Sequence, residues 1–179
     1  MSQRIKYVDY ATASAEVKAA YDEQAAHSGG YVTNMKKTLL RNLASYEALM
    51  QWFPLRDEAQ KIIGERGIAV FCYAISEQNE CLLCSVYFRR ELKELGYDIE
   101  NLTLSDNEKL LERFGRALIK DANGIKDELF GELKKVFSEE QIVVLTSFAA
   151  LMIATNLINK ALDIELDEGL QIYAKKEER

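Results

Sequence analysis

The sequence has little of what interrupts helices. Its 179 residues include one proline, Pro54, and the glycines fall mainly between segments of helical periodicity. Because proline removes a backbone donor and breaks a helix interior, its near absence favours an all-α fold.

The three cysteines are an odd number, and residues 1–10 carry charges without the apolar stretch of a signal peptide. We therefore expect no disulfide framework, and we expect a cytoplasmic protein in a reducing compartment.

Concentrated positive charge is also lacking. The chain has 29 acidic and 23 basic residues, a formal net charge of −6, and its basic runs are short and mixed with acids. Nucleic acid is not an expected partner, because binding its phosphates needs clustered cations. The nine glycines form no phosphate-binding pattern, so no nucleotide cofactor is expected either.

No apolar run is long enough to span a bilayer. The most apolar stretch, residues 142–154, is shorter than the roughly 20 residues that a spanning helix needs. We interpret it as a buried helix or a subunit interface, and we expect no membrane partner. Residues 141–162 are apolar on more than one helical face, which predicts a homo-oligomer, since one small bundle cannot bury every face.

The length suits one domain, and we expect residues 1–179 to form a single helical bundle of about seven or eight helices. The spacing predicts helices over residues 14–27, 58–75, 129–137 and 138–162. Four further helices are predicted to begin at residues 34, 46, 79 and 105. Residues 163–173 show the weak alternation of a strand.

Several residues predict where helices begin and end. Asn79 is the predicted N-cap of the fifth helix, and Gly96 is its predicted end. Ser105 with Glu108 fits a capping box, as does Ser138 with a glutamine three residues later.

Cys81 and Cys84 are the residues whose side chains are most suited to chemistry. Three residues apart on a helix, they share one face and lie close enough for a disulfide. The unpaired N–H groups and dipole at a helix N-terminus stabilise a thiolate. Such a thiolate can attack a disulfide or a peroxide oxygen, and the neighbouring thiol can then resolve the product.

Three other interpretations of this pair compete. A structural zinc site needs four ligands, and only Cys72 and the sole histidine, His27, remain as soft candidates. Cys72 is expected in the core and His27 in an exposed loop, so no metal is predicted. A thioredoxin-like motif expects strands beside it, whereas the flanks here are helical. Both cysteines could also be inert packing residues.

The sequence resembles the carboxymuconolactone decarboxylase family, specifically its alkylhydroperoxidase D-like branch. The similarity covers most of the chain and lies in residues 30–35 (GYVTNM) with the leucine-rich helix after them, in Ser76, Asn79, Cys81 and Cys84, and in residues 104–137 and 138–159. The family usually has proline where Thr33 stands. The resemblance implies an all-α fold, a homo-oligomer, often a trimer or hexamer, and peroxide reduction or related thiol chemistry.

The resemblance also implies roles for the two cysteines. In such enzymes peroxide oxidises the second cysteine of the motif to a sulfenic acid, and the first donates a proton and then closes the disulfide. Carried over, Cys84 is the attacking thiolate and Cys81 its partner. Two positions depart from the family pattern: Phe88 replaces a histidine and Ala69 replaces a glutamate, so the usual proton relay is missing.

Two other side chains are candidates to replace that relay. Glu65 lies one helical turn before Ala69 on the same face, and Tyr87 lies three residues after Cys84. A phenol, with an ordinary pKa near 10, is a poor base at neutral pH. A solvent-exposed Glu65 and an aromatic packing role for Tyr87 are the favoured alternatives.

The sequence leaves three functions open. The first is a dithiol oxidoreductase, peroxidase-like or disulfide-exchanging, with an antioxidant role and electrons from an unknown protein or a small thiol. The second is a catalytically degenerate binding or scaffold protein, which the losses at Ala69 and Phe88 favour. The third is a decarboxylase, which the cysteine pair disfavours because the family's decarboxylases generally lack it.

Overall fold

The computed structural model describes residues 4–175, which form helices joined by short loops, with no β-strand in that range. This confirms the predicted all-α fold. Residues 1–3 and 176–179 of the predicted domain lie outside the described part. The described helices are α1 (Ala15–His27), α2 (Asn34–Leu39), α3 (Leu43–Met50), α4 (Trp52–Gln78), α5 (Leu82–Glu94), α6 (Asp106–Asp121), α7 (Asp127–Val136), α8 (Glu139–Ala161) and a C-terminal 3-10 helix (Glu168–Tyr173).

Polar side chains determine where most of these helices begin. In five helices the residue before the first turn accepts a hydrogen bond from a backbone N–H three residues later. Both predicted capping boxes are present. The predicted start of α3 after Ser45 is wrong, because Asn42 Oδ1 accepts the Ser45 N–H at 2.9 Å and begins the helix at Leu43.

Helix α4 is longer than predicted at both ends. It begins at Trp52 and ends at Gln78, rather than running over residues 58–75. Pro54 falls in its first turn, where the missing N–H costs no helical hydrogen bond. Gly64, at φ 70° and ψ 171°, interrupts the helix and redirects its second half, which is the most buried segment of the chain.

The predicted N-cap of α5 is also wrong. Asn79 ends α4, its N–H donating to the Ile75 carbonyl at 2.9 Å, and Cys81 occupies the N-cap position of α5. The reason is that α4 continues past its predicted end, so the reversal falls on Glu80, which has a positive φ of 53°. The predicted end of α5 is confirmed, with Gly96 at φ 85° directly after the C-cap.

The C-terminal segment is not a strand. It forms the 3-10 helix, with Leu170 and Ala174 packed against Val86 of α5. Buried Asp167 anchors it to the start of α2, because its Oδ1 accepts the Tyr31 hydroxyl at 2.6 Å and the Asn34 N–H at 2.8 Å. Tertiary packing therefore overrides the weak alternation of these residues.

The second half of α4 lies at the centre of the bundle, in contact with α5, α6 and α8. Phe71 of α4 stacks on Phe114 of α6, with ring centroids 6.0 Å apart, and lies 6.4 Å from Phe148 of α8. Gly115 permits this approach, because a Cβ there would lie 3.0 Å from Ile75 and 3.2 Å from Phe71.

Helix α8 has one face in the core and an apolar face outside it. Phe148 and Met152 are buried, whereas Val143 and Leu157 are each 64% exposed. The described chain therefore leaves apolar surface of this helix uncovered. Within residues 4–175, α8 is the one helix long and apolar enough to cross a membrane, a property that core helices of soluble proteins share.

We predict that Gly115→Ala destabilises the fold. The added methyl group would press on Phe71 and Ile75, and overpacking of this kind costs about 1–3 kcal/mol. Gly131→Ala in α7 is the matched control, because its Cβ meets nothing within 4 Å and alanine should stabilise that helix by about 1 kcal/mol. Denaturant unfolding measures both, and equal effects would contradict a tight α4–α6 contact.

Candidate functional site

The two cysteines lie at the corner where α4 ends and α5 begins. The Cys81 N–H donates to the Ser76 carbonyl at 2.9 Å, which fixes the connection between the helices. Cys81 is the N-cap of α5 and Cys84 lies in its first turn. The predicted placement of both cysteines at a helix N-terminus therefore holds, although the helix begins two positions later than the predicted cap at Asn79 implied.

Helix α8 closes the site from the other side. Asn159 Nδ2 donates to Cys84 Sγ at 3.1 Å, and Lys160 Nζ donates to the Asn79 carbonyl at 2.6 Å. One turn earlier, Asn156 is hydrogen-bonded to Ser76 at 3.3–3.4 Å. No sequence motif points to Asn159. The available signal was a pair of asparagines three residues apart on an apolar helix, which predicts a polar contact on one face.

Both cysteines are nearly inaccessible, with Cys81 1% and Cys84 3% exposed. The interaction with the neighbouring Cys84 side chain is the main cause that lowers the pKa of Cys81. The Asn159 amide and the Lys160 ammonium also lower it, while burial opposes them. The same pairing, together with burial, raises the pKa of Cys84 well above its ordinary value. The arrangement therefore favours a thiolate at Cys81 beside a protonated Cys84.

Phe88 and Ala69, the two positions that depart from the family pattern, lie inside the core. Phe88 packs edge-on against Tyr87, with ring centroids 5.1 Å apart, and 6.4 Å from Trp52. Ala69 is fully buried in a separate cluster with Val70. Neither position offers a group that could accept a proton.

The structure does not bring Glu65 or Tyr87 to the cysteines. Glu65 is exposed, and its charge acts on Glu91 of α5. The Tyr87 hydroxyl is hydrogen-bonded to Glu91, and burial, with the charge of Glu91, raises the pKa of Tyr87 to about 12. Its phenol is therefore protonated at neutral pH and packs as an aromatic contact.

A half-buried charged cluster, which no sequence motif predicted, lies further along α5. Arg56 of α4 pairs with Glu91 at 3.8 Å, and the Arg90 guanidinium lies 4.5 Å from the Tyr87 ring centroid. Burial raises the pKa of Glu91 and Arg56 opposes that effect. This cluster joins the first half of α4 to α5.

Cys72 and His27, the other candidate metal ligands, do not come together with the cysteine pair. Cys72 is fully buried, and burial followed by the charge of Glu91 raises the pKa of its thiol well above the ordinary value. His27 is exposed at the end of α1, with Nδ1 2.8 Å from the Glu23 carbonyl oxygen. Across residues 4–175, no group of three or more histidine, cysteine or acidic residues is arranged to hold a metal ion.

Comparison with known proteins places the fold. No protein-family model matches the sequence, and no curated protein matches it. Among solved structures, a cysteine-to-alanine variant of the debrominase Bmp8 in complex with 2,3,4-tribromopyrrole superimposes with a TM-score of 0.77 over 97% of this chain and 96% of that chain, at 16% identity. An uncharacterized peroxidase-related protein from Silicibacter sp. TM1040 gives a TM-score of 0.71 over 92% and 93%, at 14% identity. The alkylhydroperoxidase D-like fold is thus confirmed.

We predict that iodoacetamide modifies Cys81 at a lower pH than it modifies Cys84 or Cys72. The order follows the lowered pKa of Cys81 and the raised pKa of the other two thiols. Lys160→Met removes a charge that stabilises the thiolate, so the alkylation midpoint of Cys81 should rise. Peptide mass spectrometry locates each label. Lys61→Met, on an exposed turn of α4, serves as the control, and modification of Cys84 before Cys81 would contradict the assignment.

Proposed function

We propose that the protein is a thiol-dependent oxidoreductase in which Cys81 and Cys84 cycle between a dithiol and a disulfide. The observation that carries the proposal is the placement of both cysteines at the start of α5, buried beside Asn159, with opposite pKa shifts. The structural likeness to a peroxidase-related protein supports a peroxidase-like role.

The reaction with a hydroperoxide follows from the charges of the pair. The Cys81 thiolate attacks the oxygen that carries hydrogen; a sulfur–oxygen bond forms and the oxygen–oxygen bond breaks. The leaving alkoxide takes the proton of Cys84, which gives an alcohol and a sulfenic acid on Cys81. The new Cys84 thiolate then attacks that sulfur, the disulfide closes, and hydroxide leaves and is protonated to water.

This order reverses the roles that the resemblance implied, in which Cys84 attacks. The reason is that Cys81 is the N-cap of α5, near Lys160, and its pKa is lowered, whereas the pKa of Cys84 is raised. With Phe88 in place of an imidazole, the proton comes from Cys84 and no separate base assists. We therefore expect slow turnover.

Each cycle needs two electrons to reopen the disulfide. These come from another protein or from a small thiol, and the burial of both sulfurs favours the small thiol. A reducing compartment keeps the pair as thiols between turnovers, so we place the protein in the cytoplasm with an antioxidant role.

Reduction of a halogenated aromatic ring is a second candidate, favoured by the structural likeness to the debrominase. The two thiols would supply two electrons: a carbon–hydrogen bond replaces the carbon–bromine bond, bromide and a proton leave, and the disulfide forms. The same two cysteines carry both reactions, so the two substrates can be compared on one protein.

We predict that stoichiometric hydrogen peroxide converts Cys81 and Cys84 to one intramolecular disulfide while Cys72 stays free. Peptide mass after alkylation measures the pairing, with 2,3,4-tribromopyrrole as the second substrate. Cys81→Ser and Cys84→Ser should each abolish disulfide formation, and Cys72→Ser should not.

Survival of both thiols with both substrates would contradict the oxidoreductase proposal. That result would favour the alternative of a binding or scaffold protein that keeps the fold without the chemistry. Oxidation by tribromopyrrole with no reaction toward peroxide would favour the second candidate.

We also propose a homo-oligomer, a trimer or a hexamer, assembled through α8. Its support is the outer face of that helix, where Val143 and Leu157 remain largely exposed in one chain. Exposed apolar surface of this kind is typical of subunit contacts.

We predict an oligomeric mass by light scattering at micromolar concentration. Leu157→Asp, at a side chain that is 64% exposed, should lower that mass because it places a charge in the contact. Ile172→Asp is the matched control, since Ile172 is 69% exposed but lies on the 3-10 helix away from α8. A monomeric mass for the unmodified protein would contradict the proposal.

A further inference from the structure

Asn159 is a buried carboxamide with one end paired and the other unpaired. The residue is 3% exposed, and its Nδ2 donates to Cys84 Sγ at 3.1 Å. Among residues 4–175, its Oδ1 has no hydrogen-bond partner. Leaving a buried polar atom unpaired costs free energy, so such atoms are few in folded proteins and commonly mark functional positions.

The contrast with Asn156 shows that burial alone does not produce this arrangement. Asn156 lies one turn earlier on the same helix, is fully buried, and is hydrogen-bonded to Ser76. Ser76 belongs to α4, so that contact joins two helices of the bundle. Asn159 instead contacts the Cys84 sulfur through Nδ2, and its unpaired Oδ1 belongs to the same amide group.

The Asn159 amide also acts on both thiols. It lowers the pKa of Cys81 and partly offsets the rise in the pKa of Cys84. A carboxamide is neutral and has a donor and an acceptor at fixed separation. One side chain can therefore hold a sulfur through its donor while its acceptor faces a molecule beside that sulfur.

We propose that Asn159 binds the substrate of the dithiol and selects small hydroperoxides. Nδ2 holds the sulfur pair, and Oδ1 accepts a hydrogen bond from the O–H of the hydroperoxide. This rests on the proposed oxidoreductase function, in which Cys81 attacks that same hydrogen-bearing oxygen. The O–H stays on the transferred oxygen as it becomes the sulfenic hydroxyl, so the contact with Oδ1 persists through the step.

The donor Nδ2 and the acceptor Oδ1 of Asn159 together determine the class of substrate. An electrophile without an O–H or N–H group leaves Oδ1 unpaired beside it, and a site built to accept a hydrogen bond disfavours such a molecule. The near-complete burial of both sulfurs also favours small substrates.

Two probes of the reduced protein separate this contact from thiol reactivity in general. Hydrogen peroxide carries the O–H donor, and methyl methanethiosulfonate is a small thiol-reactive electrophile without one. Second-order rate constants are measured with each probe at high pH, where the reactive thiol is fully ionised. The ratio of the two constants then no longer depends on the thiol pKa.

Asn159→Leu should lower the peroxide-to-thiosulfonate ratio roughly three- to tenfold, the value of one neutral hydrogen bond. Asn156→Leu is the matched control, because it removes a buried amide from the same face of α8 without touching sulfur, and its ratio should match that of the unmodified protein. Asn159→Asp keeps an acceptor and loses the donor. Its ratio should stay within about twofold of the unmodified value, while the alkylation midpoint of Cys81 rises.

The outcomes distinguish this inference from the proposed function. A peroxide reaction in the unmodified protein, with an unchanged ratio in Asn159→Leu, overturns the substrate contact and leaves the dithiol chemistry standing. An equal loss in Asn156→Leu also overturns it, since the effect would be one of packing. If the unmodified protein reacts with the thiosulfonate but not with peroxide, both proposals fail. Asn159→Ala, which removes the same acceptor without adding volume, should lower the ratio as Asn159→Leu does and replaces the leucine variant if that variant does not fold; an unchanged ratio in Asn159→Ala likewise overturns the substrate contact.

Discussion

The site depends on one backbone hydrogen bond, from the Cys81 N–H to the Ser76 carbonyl. It joins the last turn of α4 to the N-cap of α5 and fixes the direction in which α5 leaves. Because α4 is clamped by α5, α6 and α8, its C-terminal end has little freedom to move. The cysteines are therefore held by the most buried element of the fold rather than by a flexible loop.

The same constraint determines the electrostatics of the pair. At the N-cap, Cys81 is close to the hydrogen-bond donors of Asn159 and Cys84 and to the charge of Lys160. The pKa of Cys84 shifts in the opposite direction. Two cysteines three residues apart thus have distinct protonation preferences. In the proposed reaction this asymmetry would supply a nucleophile and an acid without an imidazole.

Much of the fold could be predicted because its signals are local. The capping boxes at Ser105 and Ser138 and the stop at Gly96 each depend on residues within a few positions of one another. The start of α3 was displaced by the local cap at Asn42, whereas the other two failures came where distant contacts decide. Asn79 has the right side chain for an N-cap, but packing extends α4 as far as Gln78, and residues 163–173 follow α5 and Asp167 instead of forming a strand.

The sequence by itself determined that the chain is helical and that Cys81 and Cys84 share a helix N-terminus, because helix periodicity and spacing are properties of neighbouring residues. Only the tertiary structure decided which groups surround the sulfurs. Asn159 lies 75 residues from Cys84 along the chain, and its contact exists because α8 crosses the corner of α4 and α5. Glu65 and Tyr87 are nearer to the cysteines in sequence, yet Glu65 is exposed to solvent and Tyr87 interacts with Glu91. The reason is that the partners of a side chain depend on which helix faces pack together.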